Sequence, residues 1–254
     1  MDRRAEVRSW LEAARQIVVL TGAGISTDSG LPDFRGPQGV WTKDPAAEKA
    51  SDISYYVADA EVRERAWRRR VEGASADLEP NPGHRALVAL ERSGRLHTLI
   101  TQNVDGLHQA AGSDPSLVVE VHGTVRDVVC LDCGDRAPMA TALDRVRAGE
   151  ADPPCRRCGG ILKSATISFG QSLVPDDLRR ADAAARACDL LLAVGSTLAV
   201  YPIADVVPLA IAHGARVVIV NGSPTAMDDL ADAVVTGSIS EVLPALVEGL
   251  LRVG

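Results

Sequence analysis

The stretch TGAGISTDSGLPDFRG, residues 21–36, decides how the fold is predicted. It follows the β-branched apolar run IVVLT (residues 17–21), which predicts a buried strand. A strand followed by a glycine-rich turn is typical of a dinucleotide-binding βαβ unit, in which Gly22 and Gly24 let a phosphate approach the backbone. The usual fingerprint is G-x-G-x-x-G, but Thr27 occupies the third glycine position here. The loop therefore resembles the fingerprint without matching it fully.

Four further apolar runs have the same character as the first. They lack polar alternation, which is typical of parallel strands covered on both faces. Helical patterns lie between them; Asn81 and Pro82 begin one of these helices and Gly94 ends it. The alternation predicts an α/β fold with a Rossmann-like, doubly wound parallel sheet. The four runs are LHTLIT (96–101), LVVEV (117–121), DLLLAVG (189–195) and ARVVIVN (215–221).

The composition limits the classes of partner. The 254 residues carry 27 Lys and Arg against 34 Asp and Glu, and the net charge of −7 argues against general binding to nucleic acid or to an anionic membrane. The first residues mix acids with arginines and lack an apolar core, so we expect an amphipathic helix there and not a signal peptide; no apolar run approaches the roughly 18 residues of a membrane span. Five cysteines without an export signal favour a reducing compartment, so we expect a cytoplasmic protein. The Ala-rich composition, with Arg preferred over Lys, suggests a bacterial source.

Four of the five cysteines form two C-x-x-C pairs, CLDCG and CRRCG. Two such pairs supply four thiolates for a tetrahedral Zn²⁺ ion, and no other residue with ligand spacing accompanies them, so we predict a structural metal site. A glycine follows each pair, where it permits a positive φ. The alternative is two disulfides or four buried thiols, which a reducing compartment disfavours. The predicted ligands are Cys130, Cys133, Cys155 and Cys158, whereas Cys188 is a predicted core residue.

Two segments, residues 37–73 and 126–163, interrupt the alternation of strands and helices. The first is polar and ends in the basic helical pattern EVRERAWRRRVE, and the second holds the cysteine pairs. We predict that they form a small domain together, a helical insertion plus a zinc module. Residues 1–36, 74–125 and 164–254 are predicted to form the Rossmann-like domain.

Small or polar residues follow every predicted strand of the sheet. Gln102, Asn103 and Asp105 follow the second strand, and His122 follows the third. STLAVYP and GSPT follow the last two. Because ligands of doubly wound sheets bind outside the carboxyl ends of the strands, these loops predict one shared crevice.

These motifs together resemble a known family. GAGISTDSGLPDFRG, TQNVDGLHQAAG, VHGTV, the two C-x-x-C pairs, GSTLAVYP and VNGSPT occur in the order found in sirtuins, the NAD-dependent protein lysine deacylases. The resemblance covers about residues 17–245, nearly the whole chain. It implies a Rossmann-like NAD domain, a small domain built from a helical insertion and a zinc module, and a cleft between them where NAD meets an acyl-lysine peptide.

The resemblance also implies an enzyme that consumes NAD as a co-substrate. In the family, the acyl oxygen of the lysine attacks the nicotinamide ribose carbon and expels nicotinamide. A histidine then deprotonates the ribose hydroxyls, which carry the acyl group away as O-acyl-ADP-ribose and leave free lysine. His122 matches that base, and imidazole has an ordinary pKa near working pH. Asn103 matches the amide that orients the ribose, so these two residues are the predicted catalytic pair.

NAD-binding positions are implied in the same way. Ala23 and Gly24 would contact the pyrophosphate through their backbones, Asp105 would accept from the nicotinamide carboxamide, and Asn221 would hold the adenosine ribose. Phe34 would cover the ribose carbon and exclude water. The full predicted NAD site comprises Gly22, Ala23, Gly24, Asp33, Phe34, Arg35, Gln102, Asn103, Asp105, Gly195, Ser196, Thr197, Asn221, Ser223 and Ile239.

The expected partner is an acyl-lysine protein or peptide, which would add a β-strand between the strand-like segments SFGQ (168–171) and LAVYP (198–202). Lys163-Ser164 stands where many sirtuins have Arg-Pro, and Gln171 replaces the usual glutamate. These departures affect the peptide-facing strand and leave substrate choice open. The predicted contacts with the peptide are Phe169, Gly170, Val200 and Tyr201.

The basic end of the helical insertion bears on the preferred acyl group. Sirtuins that accept acidic acyl groups usually carry a Y-x-x-R pair there. In RERAWRRR (63–70), Ala66 stands at the tyrosine position if Arg69 occupies the arginine position. We interpret these arginines as a solvated helix face and expect a small or neutral acyl group, acetyl first.

Two alternative functions share the predicted NAD site. One is mono-ADP-ribosyl transfer to a protein side chain, and the other is a non-catalytic regulator that binds NAD or ADP-ribose. A hydride-transfer dehydrogenase is disfavoured because no acidic residue closes a second strand at the usual interval.

Overall fold

The computed structural model describes residues 3–33, 39–43, 51–73 and 78–250. Its strands belong to two sheets, one large and parallel and one small and antiparallel. In chain order the strands are β1 (Ile17–Thr21), β2 (Leu96–Thr101), β3 (Val118–Glu120), β4 (Gly123–Cys130), β5 (Arg136–Pro138), β6 (Leu162–Thr166), β7 (Leu190–Val194), β8 (Arg216–Asn221) and β9 (Ala233–Thr236).

The large sheet has the strand order β3-β2-β1-β7-β8-β9, and every neighbouring pair is parallel. The chain builds outward from β1 to β3 and later restarts at β7 on the other side of β1. A doubly wound sheet opens its ligand crevice at such a switch point, here between the loops that follow β1 and β7. The predicted fold class is confirmed, and the five predicted apolar runs are all strands. The strand β9 was not predicted because its four residues, AVVT, are too short to stand out.

Helices cover both faces of the large sheet, as its continuous apolar strands require. On one face, Leu11, Leu87 and Leu246 pack in a single core cluster. On the other face, Ala184 and Val207 contribute to a second cluster. The helices are α1 (Arg3–Ala13), α2 (Val40–Lys43), α3 (Ile53–Ala58), α4 (Ala60–Gly73), α5 (Pro82–Arg92), α6 (Leu107–Ala111), α7 (Met139–Arg147), α8 (Pro175–Ala187), α9 (Val206–Ala212) and α10 (Ile239–Val247).

The predicted start and end of α5 are confirmed. The Asn81 side chain accepts hydrogen bonds from the backbone N–H groups of Gly83 and His84, and the His84 side chain accepts one from the Asn81 N–H. This reciprocal cap satisfies donors that a helix leaves unpaired. Gly94 follows the helix with a φ of +73°.

The small sheet has the order β5-β4-β6 and holds the cysteine pairs. Trp67 of α4 is fully buried against Val128 of β4, Leu143 of α7 and Leu162 of β6. The helical insertion and the cysteine segment therefore share one core. Strands β4 and β6 each cross a predicted domain boundary, and the division into domains stays a prediction.

Among the described residues, no helix is long and apolar enough to cross a membrane.

Candidate active site

The loops after the parallel strands line one cleft of about 1700 Å³. Residues of the small-sheet strand β6 line it as well, so the cleft has a wall from each sheet. It is larger than the roughly 300–1,000 Å³ that encloses a single drug-sized ligand. A cleft of this size has room for a dinucleotide together with a peptide side chain.

The glycine loop after β1 packs directly on the loop after β7. The Gly24 N–H donates to the Gly195 carbonyl at 2.8 Å, and a Cβ on Gly22 would lie 2.7 Å from that same carbonyl oxygen. Gly195 has a φ of +63°, and a Cβ there would lie 2.4 Å from the Ile25 nitrogen. These glycines thus allow the two loops to touch at the switch point. Residues Ala23–Ser29 form a short 3₁₀-helix after the first glycine.

Asn103 and Asp105 are linked through a buried serine that sequence reasoning missed. Ser26 Oγ accepts from Asn103 Nδ2 at 3.2 Å and donates to Asp105 Oδ2 at 2.8 Å. Asn103 Nδ2 also donates to the Gly22 carbonyl at 3.1 Å, and Asp105 Oδ1 accepts the Leu107 N–H at 2.9 Å. Both polar side chains are therefore held at fixed orientations at the cleft, whose lining includes all three residues.

His122 lies in the cleft with one ring nitrogen committed to the backbone. Its Nδ1 lies 2.9 Å from the Gln102 carbonyl oxygen, an acceptor, so Nδ1 carries the hydrogen and Nε2 has a free lone pair. Burial lowers the pKa of His122 from its ordinary value, while its bond to Gln102 opposes that shift. The imidazole is therefore neutral near pH 7 and can accept a proton at Nε2.

The remaining residues predicted for NAD line the same cleft where they are described. Gln102 Nε2 donates to Ser196 Oγ at 2.9 Å, and Asn221 Nδ2 donates to the Ser223 carbonyl at 2.7 Å. Phe34 and Arg35 lie outside the described residues. The predicted positions that line the cleft are Gly22, Ala23, Gly24, Asp33, Gln102, Asn103, Asp105, Gly195, Ser196, Thr197, Asn221, Ser223 and Ile239.

The two segments predicted to bind the peptide both reach the cleft, but they differ in conformation. Phe169 exchanges backbone hydrogen bonds with Ser51 and Ile53, which makes a single parallel bridge. The second segment is not strand-like, because Leu198 has a φ of +54° and the chain turns before the 3₁₀-helix Ile203–Asp205. The predicted contacts Phe169, Gly170, Val200 and Tyr201 line the cleft.

The interpretation of the arginines of α4 is wrong at two positions. Arg63 has a side chain only 13% exposed and forms an ion pair with Asp152 at 2.7 Å. Arg69 is exposed, as a solvated face requires, but Arg70 is partly buried and lines the cleft together with Ala66. Arg70 Nη2 donates to Ser164 Oγ at 2.9 Å. The sequence pattern did not separate Arg69 from Arg70, because only the packing of α4 on Trp67 decides which of them faces inward.

The four predicted metal ligands form one cluster. The sulfur atoms of Cys130, Cys133, Cys155 and Cys158 all lie within 4.8 Å of one another. With Zn–S bonds of about 2.3 Å, tetrahedral thiolates lie roughly 3.8 Å apart, so the cluster fits a structural zinc ion. No disulfide joins the cysteines within the described part of the chain.

Backbone geometry supports the cluster. Gly134 and Gly159 have φ values of +71° and +77°, as predicted for the glycine after each pair. The N–H groups of Arg157 and Gly160 point at Cys155 Sγ and Cys158 Sγ, each at 3.4 Å. Such N–H groups stabilise thiolate charge. Cys188 is buried in the core, as predicted.

A parallel α/β sheet with a glycine loop at its switch point, a polar cleft and a four-cysteine module defines the Rossmann-like dinucleotide-binding proteins that carry a zinc module. The chain belongs to the Sir2 family, whose domain it matches over residues 22–202. The resemblance to sirtuins is confirmed.

Relatives and solved structures agree with that assignment. The chain is 51% identical over 234 residues to NAD-dependent protein deacetylase 2 of Streptomyces coelicolor. That alignment covers 92% of this chain and 97% of the relative. It is 42% identical to NAD-dependent protein deacylase 2 of Pyrobaculum aerophilum, over 97% of this chain and 95% of the relative. A structure of Sir2 with a p53 peptide and NAD⁺ superimposes with a TM-score of 0.84 at 33% identity, covering 96% of both chains.

Proposed function

We propose that the protein removes acyl groups, acetyl among them, from protein lysines and consumes NAD in doing so. In the net reaction, NAD, acyl-lysine and water become nicotinamide, free lysine and O-acyl-ADP-ribose. The observation that carries this proposal is the arrangement of His122, Asn103 and Asp105 in one cleft that both sheets line. Relatives named as NAD-dependent deacetylases and deacylases, which the chain matches over 97% and 95% of their length, support it.

NAD, when bound, supplies nicotinamide as a leaving group and ADP-ribose as the acceptor of the acyl group. Asn103 orients the ribose through its side-chain carbonyl, since its Nδ2 is bonded to Gly22 and Ser26. Asp105 is held by Ser26 and the Leu107 N–H and can accept from the carboxamide. His122 takes a proton at Nε2, because its Nδ1–H is bound to the Gln102 carbonyl.

The substrate peptide is proposed to bind along Phe169 and Gly170, with Tyr201 at the opposite edge. Phe169 and Tyr201 are large side chains that stay 39% and 63% exposed at the mouth of the cleft, which leaves apolar surface for a partner. The proposed partner is an acyl-lysine segment of a protein. The unpaired cysteines favour the reducing cytoplasm as the compartment.

The proposal is tested by incubating the zinc-loaded protein with NAD and an acetyl-lysine peptide and analysing the products by mass spectrometry. We expect nicotinamide, deacetylated peptide and O-acetyl-ADP-ribose in equal amounts. ADP-ribose attached to protein without loss of acetyl groups would favour the transfer alternative. Cofactor binding without any product would favour the regulator.

His122→Ala should lower kcat about 10²-fold or more, because the variant lacks the group that accepts the proton. The matched control is His213→Ala, since His213 is exposed at the end of α9 and bonded to Arg186. Circular dichroism and thermal melting would check that both variants are folded. Full activity in a folded His122→Ala protein would contradict the assigned role.

A further inference from the structure

Two buried hydroxyl groups and an imidazole lie behind the cleft, where β1 and β2 end. Thr21 and Thr101 are the last residues of these strands and pair with each other in the register of the sheet. The Thr21 hydroxyl donates to Thr101 Oγ1 at 2.8 Å, and Nε2 of His108, from α6, lies 3.0 Å from Thr21 Oγ1. All three side chains are buried, and we call these residues the hydroxyl chain.

The direction of each hydrogen bond in the hydroxyl chain is fixed. A hydroxyl group has one hydrogen to donate, and Thr21 gives its hydrogen to Thr101. His108 therefore donates to Thr21 from Nε2, and its buried Nδ1, which has no partner within the described residues, keeps a lone pair. Thr101 Oγ1 also accepts the backbone N–H of Asn103 at 3.1 Å. The hydroxyl chain thus runs from His108 to the N–H of Asn103.

This N–H belongs to the peptide group that holds the proposed catalytic base. The Gln102 carbonyl and the Asn103 N–H are the two ends of one planar, rigid unit. Thr101 binds the N–H, and the carbonyl accepts the Nδ1–H of His122 at 2.9 Å. The orientation that Thr101 gives to the N–H therefore also sets the direction of the carbonyl, and with it the position of the imidazole.

The sheet itself does not hold this peptide group. The Gln102 N–H donates to the Thr21 carbonyl at 3.0 Å, and the Val121 N–H donates to the Thr101 carbonyl at 3.1 Å, so the preceding backbone groups are paired between strands. The group between residues 102 and 103 lies one step beyond that pairing. Within the described part of the chain, its partners are two side chains, those of Thr101 and His122.

We infer that the hydroxyl chain positions His122 for catalysis. Thr101 is the positioning residue that orients the peptide group, and Thr21 and His108 fix the hydroxyl of Thr101. None of the three lines the cleft, so their effect on the reaction passes through the backbone. This inference rests on the proposed role of His122 in deacylation.

The first arm of the test removes one hydroxyl group and keeps the shape of the side chain. Thr101→Val should lower kcat about tenfold and change the KM for NAD less than about twofold, because the base is misplaced while the binding contacts remain. Thr101→Ser, which keeps the hydroxyl, should retain most of the wild-type kcat. Thr98→Val is the matched control, since Thr98 is a buried threonine of the same strand whose hydroxyl contacts His97.

The second arm measures the pKa of His122 by NMR titration of the free protein. The hydrogen bond to the Gln102 carbonyl raises this pKa against the effect of burial. When Thr101→Val loosens the carbonyl, the pKa of His122 should fall by about 0.5. The acidic limb of the pH profile of kcat/KM should move to lower pH by the same amount. Thr98→Val should leave both unchanged.

A double variant tests whether the residues act as one chain. Thr21→Val removes the donor to Thr101 but leaves the Asn103 N–H paired, and it should lower kcat by up to about tenfold. Thr21→Val/Thr101→Val should be no slower than Thr101→Val alone, because both changes interrupt the same chain. A product of the two single effects, about 100-fold, would show that the residues act independently and would overturn the chain.

The outcomes separate this inference from the proposed function. A folded Thr101→Val protein with the wild-type kcat and the wild-type pKa of His122 would overturn the positioning role, even if the wild-type protein deacylates peptides. A lowered pKa of His122 in the variant, without turnover of any peptide by the wild type, would support the chain and contradict deacylation. If Thr101→Val does not fold, Thr21→Val provides the same two measurements.

Discussion

At the scale of single residues, two buried histidines support the cleft from behind. The Asn81 N–H donates to His84 Nδ1, so His84 Nε2 carries the hydrogen and donates toward Ser26 Oγ at 3.4 Å. Ser26 then donates to Asp105, which continues the chain of hydrogen bonds to the cleft. His108 Nε2 lies 3.0 Å from the Thr21 hydroxyl. Neither histidine was predicted to support the site.

These imidazoles are neutral in the folded protein. Burial lowers the pKa of His84 to about 4 and that of His108 to about 3, from an ordinary value of 6.5. The unfolded chain therefore binds more protons than the folded protein between pH 6.5 and about 4. In this window the free energy of unfolding falls as the pH falls, by about 1.4 kcal/mol per pH unit for each histidine.

His108→Gln should weaken this pH dependence. Between pH 6.5 and 5, the wild-type protein should lose about 2 kcal/mol of unfolding free energy more than the variant, because the variant lacks one buried imidazole. Urea unfolding at both pH values measures the difference. His213→Gln, at an exposed position, should keep the wild-type dependence. Identical slopes for His108→Gln and wild type would show that His108 does not contribute.

At the scale of elements, the crevice depends on the contact between the loops after β1 and β7. Gly195 makes that contact with a left-handed backbone and with Ile25 only 2.4 Å from where a Cβ would lie. Gly214, after α9, has a comparable φ of +86° but open space around it. The two glycines therefore separate the cost of the backbone conformation from the cost of the close approach.

Gly214→Ala should lose about 1 kcal/mol of unfolding free energy, the usual cost of a positive φ for alanine. Gly195→Ala should lose about 3 kcal/mol or more, because backbone atoms must move as well. It should also bind NAD more weakly, while Gly214→Ala binds it normally. Urea unfolding and calorimetric titration with NAD measure the two effects. Equal losses in both variants would mean that the loops can separate without cost.

Local patterns predicted most helices and strands well, but they did not predict the conformation of one loop segment at the cleft. Continuous apolar runs identified five parallel strands, and Asn81 with Gly94 marked both ends of α5. The resemblance to sirtuins implied that the segment LAVYP is strand-like. A left-handed residue, Leu198, turns it instead. Backbone turns at non-glycine residues leave no clear pattern in the chain.

At the scale of the whole molecule, the small sheet depends on one apolar core and one cluster of thiols. The core around Trp67 is small, and small cores rarely stabilise a module without a metal or a disulfide. The four sulfur atoms lie within 4.8 Å of one another, close enough for a single zinc ion to bind all of them. We therefore expect zinc to contribute to the stability of the entire cleft, since residues of β4 and β6 line it and both strands belong to the small sheet.

Cys133→Ser should lose zinc and lower the melting temperature, because three thiolates and a hydroxyl bind the ion more weakly. Metal analysis and thermal melting, with and without a chelator, measure both effects. Cys188→Ser is the matched control, since Cys188 is buried away from the cluster and should retain zinc. A Cys133→Ser protein that contains no zinc and melts like the wild type would contradict a structural role for the ion.

The sequence by itself determined five of the six strands of the large sheet, the family, the metal ligands and the loops that meet at the cleft. Each of these is carried by a short continuous run, such as an apolar strand, a glycine turn or a C-x-x-C pair, whose physical requirement is local. Only the tertiary structure decided that Ser26 joins Asn103 to Asp105 and that Arg70, not Arg69, faces the cleft. Arg70 meets Ser164 across 94 positions of the chain. That contact depends on how α4 packs around Trp67, and no local pattern encodes the rotation of a packed helix.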